Sequence, residues 1–231
     1  MSPIRTRREA GSHQGGEIPD FTSRLRRARI GLGLALAMVT MTFAVFSLTF
    51  VLRRWFEQWP GVDSSTPLHV AHWTHLRLPY GLLFLNTFVL LLSGAAMEMA
   101  RRQVTKRAAL APIERLPGIS LGRERNLPWL PATIVLGCSF VAGQMLAWHQ
   151  MATRGIYLAT TPNATFVYLA TILHAIHVGA GLLALLCAAA LAVAGASWDA
   201  RRIVVDVTAW YWHFMAGLWV YLFGLVAVMN S

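Results

Sequence analysis

The chain has 231 residues, of which 56% are hydrophobic and only 13% charged, a balance that would leave large apolar patches on a protein surrounded by water. A net charge of +10 and a pI near 11.0 would suggest nucleic acid in a soluble protein, but here the basic residues sit between apolar runs and no nucleic-acid fold signature accompanies them. They read as juxtamembrane charges that set topology and face anionic head groups, with no nucleic-acid partner.

In chain order, residues 1–29 are polar, Arg-rich and contain Gly11, Gly15 and Gly16 without an apolar signal-type core, which predicts a flexible basic cytoplasmic tail. Five stretches follow that are long enough to cross roughly 30 Å of hydrocarbon at 1.5 Å per residue. They fall at Ile30–Leu52, Leu78–Ala100, Trp129–Met151, Phe166–Ala194 and Val207–Met229. The prediction is therefore an all-α, polytopic membrane protein whose residues 30–231 form one bundle of five transmembrane helices.

Sixteen of the 20 Lys and Arg residues lie in the tail, the second connector and the fourth connector; Arg53, Arg54, Arg77 and Arg154 lie on the other side. The positive-inside rule then predicts a cytoplasmic N-terminus and an outer C-terminus. No internal repeat or pair of broken helices suggests a transporter. Prolines cluster at span ends, and Trp55, Trp59, Trp73, Trp129 and Trp148 fall near the interfaces, where aromatic belts form. Gly31, Gly33, Gly137, Gly143, Gly179 and Gly181 are expected to let helices approach closely. Cys138 and Cys187 lie in apolar runs with no metal-type spacing.

Polar groups inside the spans are the candidates for function, because burying them in lipid is expensive. Glu98 is the one carboxylate within a predicted span, beside Arg101 and Arg102; it reads as snorkelling to the cytoplasmic interface, or as a salt bridge or contact with a partner or lipid. With no carboxylate expected at mid-bilayer, the chain is not expected to move protons by itself. His174 and His177 share one face of the fourth span, and His213 lies on the fifth. By helical rise, His177 is roughly 16 Å below the outer end of its span and His213 roughly 9 Å above the inner end of the next, so the two are predicted to lie at similar depth and to be able to meet. Haem or metal ligation is one reading, but two membrane haems would need four placed histidines. Interhelical hydrogen bonding by neutral imidazoles, roughly 0.6–2 kcal/mol each, is the plainer one. Asn86, Thr87, Ser93, Thr133 and Gln144 can also bond between helices. His69, His72 and His75 recur every third residue, which fits an interfacial helix or, as a sharper alternative, a zinc or copper site. No nucleophile–base pair, phosphate loop, dinucleotide fingerprint or HExxH is present, so no catalytic, cofactor-binding or metal residue is assigned.

Four of these segments carry a resemblance. Trp210-Tyr211-Trp212-His213-Phe214 with Trp219, Leu173-His174-Ala175-Ile176-His177-Val178 with Gly181, Trp129-Leu130 with Thr133, Gly137, Phe140, Gln144 and Trp148, and Pro79 with Asn86-Thr87 and Leu91-Leu92-Ser93 occur in order, one set per helix. Together they resemble subunit III of haem–copper terminal oxidases, in its bacterial five-helix branch. The resemblance implies a non-redox accessory subunit that packs on catalytic subunit I, and on subunit II, in the inner membrane. It implies bound phospholipid, support of proton uptake and protection of the complex during turnover, with haem and copper held by the partner and no cofactor of its own. It also implies packing roles for Asn86, Thr87, Gln144, His174, His177, Trp212, His213 and Trp219. Many relatives carry carboxylates where Asn86, Ala147 and Ala216 stand here. An accessory subunit of a nitric oxide reductase and a membrane haem-b electron carrier remain the alternatives, and the electron donor, cytochrome c or quinol, stays open.

Overall fold

The computed structural model describes residues 21–57, 78–114, 128–158 and 161–229. They form five α-helices and, among the described residues, no strand: α1 Phe21–Glu57, α2 Tyr80–Glu114, α3 Trp129–Thr153, α4 Pro162–Val193 and α5 Trp198–Met229. All five are long and apolar enough to cross a membrane. The His69, His72 and His75 cluster, Trp59, Trp73 and residues 1–20 lie outside the described residues.

The helices outrun the apolar spans. α1 starts at Phe21, so residues 21–29 of the expected flexible tail are helical. α2 continues to Glu114, well past Ala100. At 1.5 Å per residue these helices are about 50–55 Å long, more than the hydrocarbon needs. The reason is that hydropathy locates only the lipid-embedded stretch. The flanking residues Arg24, Arg26 and Arg27 on α1, and Arg101 to Arg107 on α2, are polar but are good helix formers, so the backbone continues through them.

Local chemistry sets the ends where the chain turns tightly. Thr161 caps α4 by accepting a hydrogen bond from the Ala164 amide at 3.1 Å, and Pro162 occupies the first turn, where its missing N–H costs nothing. α3 and α4 both stop at a glycine with positive φ, Gly155 at 76° and Gly195 at 72°. The following amides then reach back into the last turn, Ile156 to Met151 at 3.0 Å and Ala196 to Leu191 at 3.2 Å.

α2, α3, α4 and α5 form the body, with α5 packed between α2 and α4, and α3 against α2. α1 lies outside this body against α5 and α4. Its Phe46 and Phe50 stack on Phe166 of α4 with centroids 5.1 and 3.9 Å apart. The buried centre holds Leu90, Met97, Phe140, Leu185, Trp212, Met215 and Trp219. Glycines make room for the largest of these. A Cβ on Gly137 would stand 2.9 Å from the Trp212 ring, and one on Gly181 would stand 3.1 Å from it. Gly143 gives way to the Asn86 side chain in the same manner. By contrast Gly31, Gly33 and Gly179 have nothing within 4 Å of an added Cβ, so the close packing expected of them is not made within this chain.

Candidate functional site

Two polar systems hold the helices together. The first is a seam of hydrogen bonds that converges on α5. The Trp212 indole N–H donates to Ser93 Oγ on α2 at 3.1 Å, and Ser93 in turn donates to the Thr133 carbonyl on α3 at 3.1 Å. Thr133 returns its own hydroxyl proton to Trp129 O. A turn and more away, Trp219 Nε1–H donates to Thr87 Oγ1 at 2.9 Å. Tyr211 OH donates to the His177 carbonyl at 2.8 Å, joining α5 to α4. Trp148 Nε1–H donates to Thr171 Oγ1 at 3.1 Å, joining α3 to α4. Indole suits this task because it buries a large apolar area while carrying one donor that must find an acceptor. Trp148 therefore turns inward to bond between helices, where an interfacial belt position was expected, while Trp55 and Trp129 are exposed near helix ends.

The histidines behave differently from the expectation of interhelical bonding. His177 Nδ1–H donates to Leu173 O and His213 Nδ1–H to Ala209 O, each at 2.7 Å and each within its own helix. The carbonyl four residues back is already in place, so this bond costs less ordering than reaching a neighbouring helix. The two rings share no hydrogen bond: His177 lies edge-on to Phe43 of α1 at 5.9 Å, while His213 faces outward from α5. His174 is fully buried between Phe140 at 6.2 Å and Trp219 at 5.3 Å, and neither of its ring nitrogens is bonded within the chain. Asn86 and Gln144 are buried too, with Asn86 Nδ2 and Gln144 Oε1 likewise without a partner in the chain. Gln144 borders a small apolar cleft with Leu83, Trp148, Met151, Trp219 and Phe223.

The second system is a charged clamp near the start of α5. Asp206 is buried and accepts hydrogen bonds from Arg29 of α1 at 2.8 Å and Arg101 of α2 at 3.4 Å. Arg101 also donates twice to Glu98, at 2.8 and 2.9 Å, and Arg102 donates once to Glu98 at 2.8 Å. Glu98 is thus held by salt bridges on its own helix, and Arg101 links it to the buried Asp206. Nearby, the Arg201 guanidinium lies over Trp198 and that of Arg202 over Phe21, each 4.9 Å from the ring centroid. Sequence reasoning missed Asp206 and Arg29 because the fifth span was started at Val207. The signal was there: the buried face Trp219, Ala216, Trp212, Ala209 extends upstream to Val205 and Asp206. Thr171 and Tyr211 were also missed, since neither hydroxyl announces which helix it will meet.

This arrangement is a scaffold: indoles, hydroxyls and ion pairs spent on fixing helix positions, with no nucleophile poised beside a base. Known proteins share it. A sequence profile described as "Cytochrome c oxidase subunit III" matches residues 28–230. A "Probable cytochrome c oxidase subunit 3" of Rickettsia bellii is 27% identical over 212 residues, covering 88% of this chain and 69% of the relative. The "Cytochrome c oxidase subunit 3" of Corynebacterium diphtheriae is 27% identical over 195 residues, 84% of either chain. The "Cytochrome c oxidase subunit 3" of Arabidopsis thaliana is 30% identical over 149 residues, 63% of this chain and 48% of the relative. The matched region takes in all five helices, the indole seam and the clamp, and on that ground the chain belongs to the cytochrome c oxidase subunit III family.

Proposed function

We propose that this chain works as a non-redox scaffold: it packs on the catalytic haem–copper subunit and on subunit II of a bacterial oxidase, carries no redox centre of its own, and lies in the inner membrane with its basic end in the cytoplasm. Membership of the subunit III family makes it an accessory subunit of a cytochrome c oxidase complex. The observation that carries the scaffold reading is where the charge lies. The described carboxylate side chains, Glu98, Asp199 and Asp206, all sit toward the basic end, two of them locked to arginines, which suits holding helices in place better than conducting protons. The apolar cleft beside Gln144 and Trp219 suits a lipid acyl chain.

The test is affinity purification of the chain in mild detergent, with mass spectrometry and an absorption spectrum of what is recovered. A large haem–copper subunit recovered with it, whose haem leaves the chain when the two are separated, is the expected result. A chain that comes out alone refutes the scaffold reading, and a Soret band on that lone chain replaces it with an electron carrier.

A further inference from the structure

The face of α5 that no other helix of this chain covers is built unlike the other exposed faces. Trp210, His213, Gly217, Val220 and Gly224 are all exposed on it, at alternating spacings of three and four residues. This is the period of a seam on which a second helix packs along its length. Gly217 and Gly224 stand one heptad apart, and a Cβ on either would meet nothing within 4 Å. Small residues in such a row admit a neighbouring backbone.

His213 says what kind of neighbour. It lies about 22 Å along α5 from Trp198 and about 24 Å from Met229, deep in the span at either end. Ionisable and strongly polar side chains at that depth face a protein interior or a partner, because lipid tails offer them nothing. The other outward polar groups of the spans need no help. Thr40, Thr42, Thr49 and Ser139 each return the hydroxyl proton to the carbonyl four residues back. His213 also spends Nδ1–H in that way, on Ala209 O at 2.7 Å. In a neutral ring that leaves Nε2 as a bare lone-pair acceptor aimed outward.

We infer that this α5 seam is the docking face for a transmembrane helix of another subunit, one that presents an N–H or O–H donor side chain at the depth of His213. Acyl chains have no donor. A second copy of this chain meeting the seam about a two-fold axis brings Nε2 against Nε2, acceptor against acceptor, and that pair does not bond. The inference rests on the accessory-subunit reading, since that reading supplies an assembly with other membrane subunits, and it adds the contact face and the chemistry of the contact.

The experiment uses the full chain in its native membrane. A benzophenone photocrosslinking residue is placed at Val220 in one variant and, as controls on other exposed faces, at Val135 of α3 and Leu183 of α4. After irradiation the complex is purified and the adducts are identified. The expected result is a protein adduct from position 220 to a different subunit, with its site on a membrane helix, and lipid adducts from the controls. An adduct to a second copy, lipid alone at position 220 in an intact complex, or subunit adducts from position 135 or 183 instead, overturns the inference while leaving the accessory-subunit reading in place. A chain recovered with no partner overturns both. In parallel, His213→Phe removes the acceptor and His213→Gln keeps one. Loss of one membrane hydrogen bond predicts roughly a three- to fifteen-fold fall in retention of the partner for His213→Phe. His213→Gln should recover most of it, and equal retention in all three proteins overturns the donor–acceptor contact.

Discussion

Trp212 is pinched by two glycines, and adding one methyl group at each measures how rigidly the centre is built. A Cβ at Gly137 would lie 2.9 Å from the far edge of the six-membered ring, and a Cβ at Gly181 would lie 3.1 Å from its adjoining edge. Ordinary contact begins near 3.4 Å, so Gly137→Ala asks the ring to give by about 0.5 Å in a close-packed interior. The ring has little freedom to do so, because it is 1% exposed and its N–H is tied to Ser93 Oγ at 3.1 Å. Overpacking of this kind costs about 1–3 kcal/mol. A ring moved away from one new methyl is pressed toward the other, so the double variant should lose more than the two single losses together, with a coupling of about 0.5–3 kcal/mol. Gly179→Ala is the internal control, two residues from Gly181 with open space around it; it should be neutral or gain up to about 1 kcal/mol from helix propensity. The assay is equilibrium or thermal unfolding of the purified protein in one detergent, read as a double-variant cycle. If Gly137→Ala matches the parent, or Gly179→Ala is as damaging as Gly181→Ala, the packing argument is wrong.

Asp206→Asn should cost only about 1–2 kcal/mol, because Arg29 is 48% exposed on its side chain and can turn to water while Arg101 keeps Glu98. A cysteine on the start of α1 should then label faster, and unchanged labelling would show that Asp206 does not fasten α1. Ser93→Ala leaves the buried Trp212 N–H without an acceptor and should lower stability by about 0.6–2 kcal/mol, measured by the same unfolding assay, while Ser139→Ala, on an exposed hydroxyl bonded to its own helix, should stay within about 0.5 kcal/mol. Cysteine labelling from either side of the membrane should place Arg24 and Lys106 on the cytoplasmic side and Tyr157 on the outer side; the reverse pattern would overturn the proposed orientation.

Much of this molecule is readable from spacing. Five apolar runs announce five helices, because a bilayer requires backbone bonds to close within each segment. The roles of Gly137 and Gly143 as packing positions, and of Ser93 and Thr133 as bridging hydroxyls, also follow from small or polar residues standing inside such runs. What spacing does not give is direction around the helix axis. His177 and His213 were matched for depth, yet they point to opposite sides of α5 and never meet. Asp206 was hidden for another reason. Hydropathy ends a span at the first charge, whereas the helix and its buried face continue past a carboxylate that two arginines neutralise. The partners of Trp148 and Tyr211 depend on helix neighbours, and only the assembled bundle defines those.

The clamp has a consequence for how the protein is made. Arg29 and Asp206 are 177 residues apart, and the seam bonds from Trp219 and Trp212 span 132 and 119 residues. At about 5–20 residues per second of synthesis, Arg29 waits roughly ten to thirty-five seconds before its carboxylate exists. Throughout that interval α1 is already in the membrane while Thr87 and Ser93 stand without their indole donors. The last helix to leave the ribosome is therefore the one that closes the bundle, and an insertion factor that shelters α1 to α4 until α5 arrives would act on this chain during that interval.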